Sequence, residues 1–240
     1  MSKDFNLKIE NDEHHFEIAI DLLMDDIIKA INFNNLLKDL INELKENEKV
    51  YNESRTFWYL TIESLKDSRM IRLCRIFDTE KSSISLPNFL DTLKEHSHFY
   101  LIENFKERMK GNPFVDSLSK KDRTLDLEEL DLKIEKIKKD KTVKKITIYR
   151  NNLIAHKSLR SGIKDFKILK ENPIEIEEID NILIFCRETI NQYMNLFKST
   201  TWSPTIVGSD DFKSLIKFTS IGLQKYKNDL QKEIDKYKKE

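Results

Sequence analysis

The chain has little from which to build a sheet. Four glycines and four prolines are spread over 240 residues, and no Asn-Gly or Asp-Gly pair marks a tight hairpin. That leaves an all-α protein as the expectation. Net charge is lacking too: 42 Lys and Arg balance 42 Asp and Glu, so the molecule as a whole exerts no strong pull on nucleic acid. Any such site must come from local clustering. Cysteine is limited to Cys74 and Cys186. Both sit in apolar helical runs and read as buried thiols of a reducing compartment, not as a disulfide framework. No apolar run reaches the ~20 residues that span a bilayer, and Met1 to Asn11 is polar and charged, unlike a leader. A soluble cytoplasmic protein with no membrane partner is expected. There is no glycine-rich phosphate loop, no Cys-x-x-Cys and no Gly-x-Ser-x-Gly.

What the chain does have is helical periodicity. Charged residues make up 35% and hydrophobic ones 39%, as in a helical bundle with solvated outer faces. Phe16, Ile20, Leu23, Ile27, Ala30, Asn34, Leu37, Ile41 and Leu44 recur at alternating steps of four and three. This seam predicts a helix over about 13–49, either a bundle helix or one half of a dimer seam. Asn34 is its one polar position, where a buried amide can fix register. Asparagine is a poor helix former, so a break near Asn32 to Asn35 is the alternative.

A second helix is expected from Ser54 to Asp78, apolar on much of its circumference and hence central. Trp58, Ile62, Leu65, Arg69, Arg72 and Ile76 share one narrow arc. Guanidinium groups on a buried stripe need acceptors. Internal ion pairing answers that need, with a bound phosphate as the alternative, and Asp78, three residues beyond Arg75, is placed to take Arg75.

Ser85-Leu86-Pro87-Asn88 reads as a helix start. Further helices are expected up to about His96, from about Phe99 to Lys110, and from an Asp126 cap through a lysine-rich stretch to residue 150 and beyond. Phe114 to Thr124 reads as a loop, and 159–172 as a connection. Near Pro173 another helix begins, with Ile176, Ile179, Leu183, Cys186, Ile190, Tyr193 and Phe197 as its seam. Asp210 or Asp211 caps the last one. Together these predict one domain over 1–240, a bundle of long antiparallel helices with a core of about 13–200 and a C-terminal helix of about 210–239 packed on it.

The functional signal lies in Ile148-Tyr149-Arg150-Asn151-Asn152-Leu153-Ile154-Ala155-His156-Lys157. Arginine holds a phosphate with a planar fork that never loses its charge, and histidine moves a proton near neutral pH. This segment resembles the motif of the HEPN superfamily, an arginine, a polar residue and a histidine four to six residues past the arginine. With Leu73 to Asp78 and Ser83 to Leu86 before it, the order of landmarks is similar to that of the abortive-infection, Abi-U type, branch. Aspartate is at least as familiar in that branch at the position held here by Asn151.

The resemblance implies a HEPN-type bundle and a metal-independent endoribonuclease, without cofactor, of a phage-defence or toxin-antitoxin system. It implies RNA as substrate, a homodimer, and an antitoxin or other partner from a neighbouring gene. His156 would act as general acid or base on the ribose 2′-hydroxyl or the leaving 5′-oxygen. Arg150 would hold the scissile phosphate, with Asn151 orienting either of them. Asn152, Tyr149, Lys145 and Lys157 are the candidates for substrate contact. On one regular helix Arg150 and His156 stand about 120° apart, so a single helix makes a poor site. Dimerisation, which brings the motifs of two chains together in HEPN proteins, removes that difficulty.

The residues also admit a plainer reading: a histidine capping a helix end and an arginine paired within the protein. That corresponds to a non-catalytic module binding a nucleotide, RNA or another protein. Lys133, Lys136, Lys138, Lys139, Lys141, Lys144 and Lys145 can attract a phosphate backbone or merely solvate a helix face. Glu95 and His98 have a metal-ligand spacing but lack the further carboxylates that a di-metal bundle needs, and no metal is expected.

Overall fold

The computed structural model describes residues 13–151, 171–206 and 208–238. It is all-α, with no strand among the described residues. The helices are α1 (Glu13–Glu46), α2 (Glu48–Glu53), α3 (Arg55–Ile76), α4 (Leu86–Glu95), α5 (Ile102–Arg108), α6 (Val115–Leu118), α7 (Leu127–Lys139), α8 (Lys141–Tyr149), α9 (Ile176–Lys198) and α10 (Asp211–Tyr237), with a 3-10 turn at Ser97–Tyr100. No described helix is long and apolar enough to cross a membrane.

The chain divides into two compact units, residues 1–31 with 70–204 and residues 32–69 with 205–240. The first holds the larger core. Phe16, Ile20, Leu23 and Ile27 of α1 meet Leu73 and Ile76 of α3, Phe89 and Leu93 of α4, and the buried stripe of α9. The ring of Phe16 lies 5.3 Å from that of Phe197 and 5.4 Å from that of Phe99, within the range of favourable aromatic contact. In the second unit Leu37, Leu40 and Leu44 pack with Val50, Trp58, Leu65 and Ile216. The last helix groups here, and Ile216 is its one buried residue.

The seams hold. In α1 every seam position is buried except Ile41, which is half-buried, and α1 runs unbroken past Asn32 to Asn35. Asn34 accepts a hydrogen bond from Arg69 at 2.9 Å. In α9 only Ile176 of the seam is exposed. Three expectations need correction. α3 exposes Phe57, Tyr59 and Leu60, so it is not enclosed on all sides. Val115–Leu118 forms a short helix where a loop was expected. The helix leading to the motif breaks at Asp140, whose backbone leaves the helical region (φ −62°, ψ 129°) while its carboxylate accepts from the amides of Thr142 and Val143. Aspartate competes well for exposed helix-start amides, so it ends one helix and caps the next.

A buried arginine, Arg123, and a half-buried one, Arg108, finish α9. Carbonyls in the last turn of a helix run short of backbone partners, and here the Ser199 amide serves Asn195. Arg123 donates to the carbonyls of Asn195 and Leu196 and to Ser199 Oγ, and Arg108 donates to that of Phe197. Their guanidinium planes lie 3.7 Å from the ring of Phe105 and 3.8 Å from that of Phe197. Positive charge there also complements the helix dipole.

Candidate functional site

The site is built where the end of α8 meets the end of α3, both within the first unit. α8 buries Val143 and Ile146. Arg150, four residues beyond Ile146, follows the same side, which is why its guanidinium turns inward toward α3. The thiol of Cys74 on α3 reaches the Ile146 carbonyl at 3.8 Å, fixing the approach of the two helices. At Arg150 and Asn151 the helix widens to π-type winding, a distortion common at functional sites.

Asp78 receives Arg150. One guanidinium nitrogen, Nη2, stands 2.8 Å from Oδ1 and 2.9 Å from Oδ2. The Arg150 side chain keeps 31% of its exposure and that of Asp78 keeps 19%. The Nη1 of Arg150 makes one long contact, 3.5 Å, with Asn151 Oδ1. The outer edge of the fork is therefore open among the described residues, and Asn151 beside it is exposed.

The expected pairing of Arg75 with Asp78 is not what the structure has. Arg75 binds Asp26 of α1 at 3.0 Å, and Arg72 binds the same carboxylate. Asp26 is 4% exposed. A tertiary carboxylate held in the core outcompetes an i,i+3 contact at a helix end, because the buried acid has no water to fall back on. Among the described residues, three arginines thus share two carboxylates around the end of α3. Cys74 lies among them. Burial pushes its thiol up to about 11, against the opposing pull of Arg150. It stays protonated and inert.

Lys145 is placed by α8 but committed elsewhere. Its ammonium bonds both oxygens of Glu178 at 2.7 and 2.8 Å. The hydrogen bond from Lys145, helped by the Glu175 amide, holds the Glu178 carboxyl below its usual range. Tyr149 is half-buried. His156, Asn152 and Lys157 lie outside the described residues, so Arg150, Asn151, Tyr149 and Lys145 are the candidates the structure places.

Much of the lysine cluster is engaged internally. Lys133 binds Glu129 and Gln192, Lys138 and Lys139 share Glu135, and Lys136 lies 4.2 Å from the centre of the Phe185 ring. Lys141 and Lys144 remain exposed. Glu95 and His98 do not converge on a metal position. His96 stacks on Phe99 at 5.2 Å and His98 tilts against it at 4.5 Å. Among the described residues no three ligating side chains come together.

Asp26 and Glu178 were not singled out from the sequence. Asp26 had a readable signal. It lies three residues after Leu23 and four before Ala30, so it shares the buried stripe and demands a cation. Glu178 had none beyond its place in the first turn of α9.

The all-α architecture is consistent with a HEPN-type helical bundle. A family model described as HEPN_AbiU2 (AbiU2) matches residues 13–219, and the chain belongs to that family, in the abortive-infection branch of the HEPN superfamily. No curated protein and no solved structure matches it.

Proposed function

We propose that the protein is a metal-independent endoribonuclease of a phage-defence or toxin-antitoxin system. The observation that carries this reading is the geometry of Arg150. Its inner nitrogen is fixed by Asp78, while its outer edge makes only one long contact, with Asn151, among the described residues. A phosphate needs such a preoriented fork, because an arginine already held in place loses little freedom on binding. Membership of the HEPN_AbiU2 family supports it as well.

In this mechanism His156 takes the proton from a ribose 2′-hydroxyl, or supplies one to the departing oxygen. The 2′-oxygen attacks the adjacent phosphorus and the bond from phosphorus to the 5′-oxygen breaks. The products are a 2′,3′-cyclic phosphate and a 5′-hydroxyl. Arg150 neutralises the charge that builds on the phosphoryl oxygens, and Asn151 orients the fork. Asp78 is a positioning residue. The working form is a cytoplasmic homodimer in which the motifs of both chains face one cleft, with an antitoxin or an infection signal restraining cleavage.

The same ion pair favours a second reading, a non-catalytic module that binds RNA, a nucleotide or a protein, since Arg150 already has an internal acid. The test is cleavage of labelled total cellular RNA with EDTA present, comparing the native protein with His156→Ala. Cyclic-phosphate ends that vanish in the variant are expected. Equal activity in both would point to a contaminant, and no cleavage by a native protein known to be folded and dimeric would turn the assignment to the binding module.

A further inference from the structure

We infer that the small cavity between the loop after α3 and the start of α4 is a binding site for a phosphate group. The inference stands apart from the ribonuclease reading, since neither its evidence nor its test involves cleavage.

The cavity has a volume of about 70 Å³ and lies within the first unit. Its walls are Phe16 and Ala19 of α1, loop residues 81–85 and the first two turns of α4. Ser85 in that wall is 0% exposed, and its hydroxyl has no hydrogen-bond partner among the described residues. A serine just before a helix normally caps it by accepting from the second or third amide. Here Pro87 holds the second position and has no amide hydrogen, and the Ser85 side chain makes no cap bond. A dry, unpaired hydroxyl is costly to keep, and a ligand in the cavity would supply its partner.

The lining selects an anion. It holds one cation, Lys81, and no acid, and Lys81 pairs with no acid among the described residues. The start of a ten-residue helix adds amides short of backbone partners and the positive end of its dipole. The other polar groups of the wall are committed. Asn88 Nδ2 donates to the carbonyls of Glu80 and Ser83, the Ser83 hydroxyl donates to that of Glu80, and the Thr92 hydroxyl to that of Asn88. That leaves the hydroxyls of Ser82 and Ser85 and the Lys81 ammonium for a ligand. The apolar remainder, Phe16, Ile84 and Phe89, keeps bulk water off, which strengthens each of those contacts.

Size narrows the choice further. A cavity of about 150 Å³ takes one benzene, so this one admits a compact group but no base, sugar ring or aromatic side chain. Ser85 is buried at its inner end, while Lys81 and Ser82 are exposed at its mouth. Donors at both ends, with the α4 amides beside them, surround a tetrahedral group better than a flat carboxylate.

The same loop carries the anchor of Arg150. The Glu80 amide donates to Asp78 Oδ1 at 2.9 Å, and the Glu80 carbonyl accepts from Ser83 Oγ and Asn88 Nδ2 of the cavity wall at 2.7 Å each. A ligand in the cavity therefore borders, through Glu80, on the acid that holds Arg150.

The probe is inorganic phosphate, titrated calorimetrically into the full-length protein and, in parallel, into Arg150→Ala, which removes the other phosphate grip. Saturable binding that survives in Arg150→Ala is expected. Ser85→Ala should weaken it about 10- to 150-fold, the worth of a hydrogen bond to a charged group. Lys81→Glu, at an exposed position, should abolish it, which keeps the test valid should the first variant not fold. Acetate should not compete. Tighter binding of glycerol 3-phosphate than of phosphate would mark the terminal phosphate of a larger molecule as the ligand, and equal affinity would mark free phosphate. The inference is overturned by no saturable binding to the native protein, by binding undiminished in Ser85→Ala and Lys81→Glu, by binding lost in Arg150→Ala, or by acetate competing as well as phosphate.

Discussion

Arg150 and Asp78 lie 72 residues apart in the chain, and one guanidinium nitrogen bridges both oxygens of the carboxylate. Asp78→Asn keeps the shape and removes the charge. The pair is partly exposed, so the variant should lose about 1–2 kcal/mol of stability. In the ribonuclease reading its kcat should fall about tenfold while KM moves less, with partial recovery in Asp78→Glu. Arg150→Ala should lose about 100- to 1000-fold. Steady-state cleavage and thermal melts of the same samples measure both effects. A kcat unchanged in Asp78→Asn would remove Asp78 from the positioning role.

Lys145 and Glu178 make stability depend on acid. The folded carboxyl lies below its ordinary 4.5 because Lys145 and the Glu175 amide favour the charged form. Below the unfolded value the folded state must release that advantage to gain the proton. The contribution is therefore complete above about pH 4.5 and fades as pH falls below it. Melting points from pH 6 to pH 3 should drop less steeply in Lys145→Met than in the native protein, and parallel curves would refute the assignment.

Arg123 is 3% exposed and serves four oxygen acceptors. A lysine carries the charge but not the fork. Arg123→Lys should cost about 2–3 kcal/mol, because carbonyls at the end of α9 lose their donors in a dry setting. Chemical denaturation would measure it. Since the same arginine secures Ser199, the variant should also loosen Trp202, visible as altered indole emission before unfolding.

Cys74 and Cys186 are both buried, and burial raises both thiols. At pH 8 a thiol-specific reagent should modify neither in the native protein and both in denaturant. Rapid labelling of Cys74 without denaturant would mean that α3 and α8 part readily at the site.

The helices were legible from sequence because their causes are local. Apolar residues at steps of three and four fixed the buried faces of α1 and α9, and Asp126, which accepts from the Glu129 amide at 3.0 Å, caps α7 as its spacing predicts. Asp140 shows the limit. In the sequence it is one acid within a lysine run, yet its two amide bonds break that run into two helices.

The sequence by itself determined an all-α protein, the seams of its long helices and the segment from Arg150 to His156 that carries the HEPN resemblance. These depend on residue type and spacing along one chain. Which acid meets which arginine was decided only in three dimensions. Arg75 had Asp78 three residues away and took Asp26 instead, and Asp78 was thereby left for Arg150. Charge pairing falls to whichever partners the packed helices bring within reach after water is gone, and a periodic pattern holds no record of that competition. The same holds for Trp202, an ordinary loop tryptophan in sequence, which Asn191 and Arg123 hold out toward solvent.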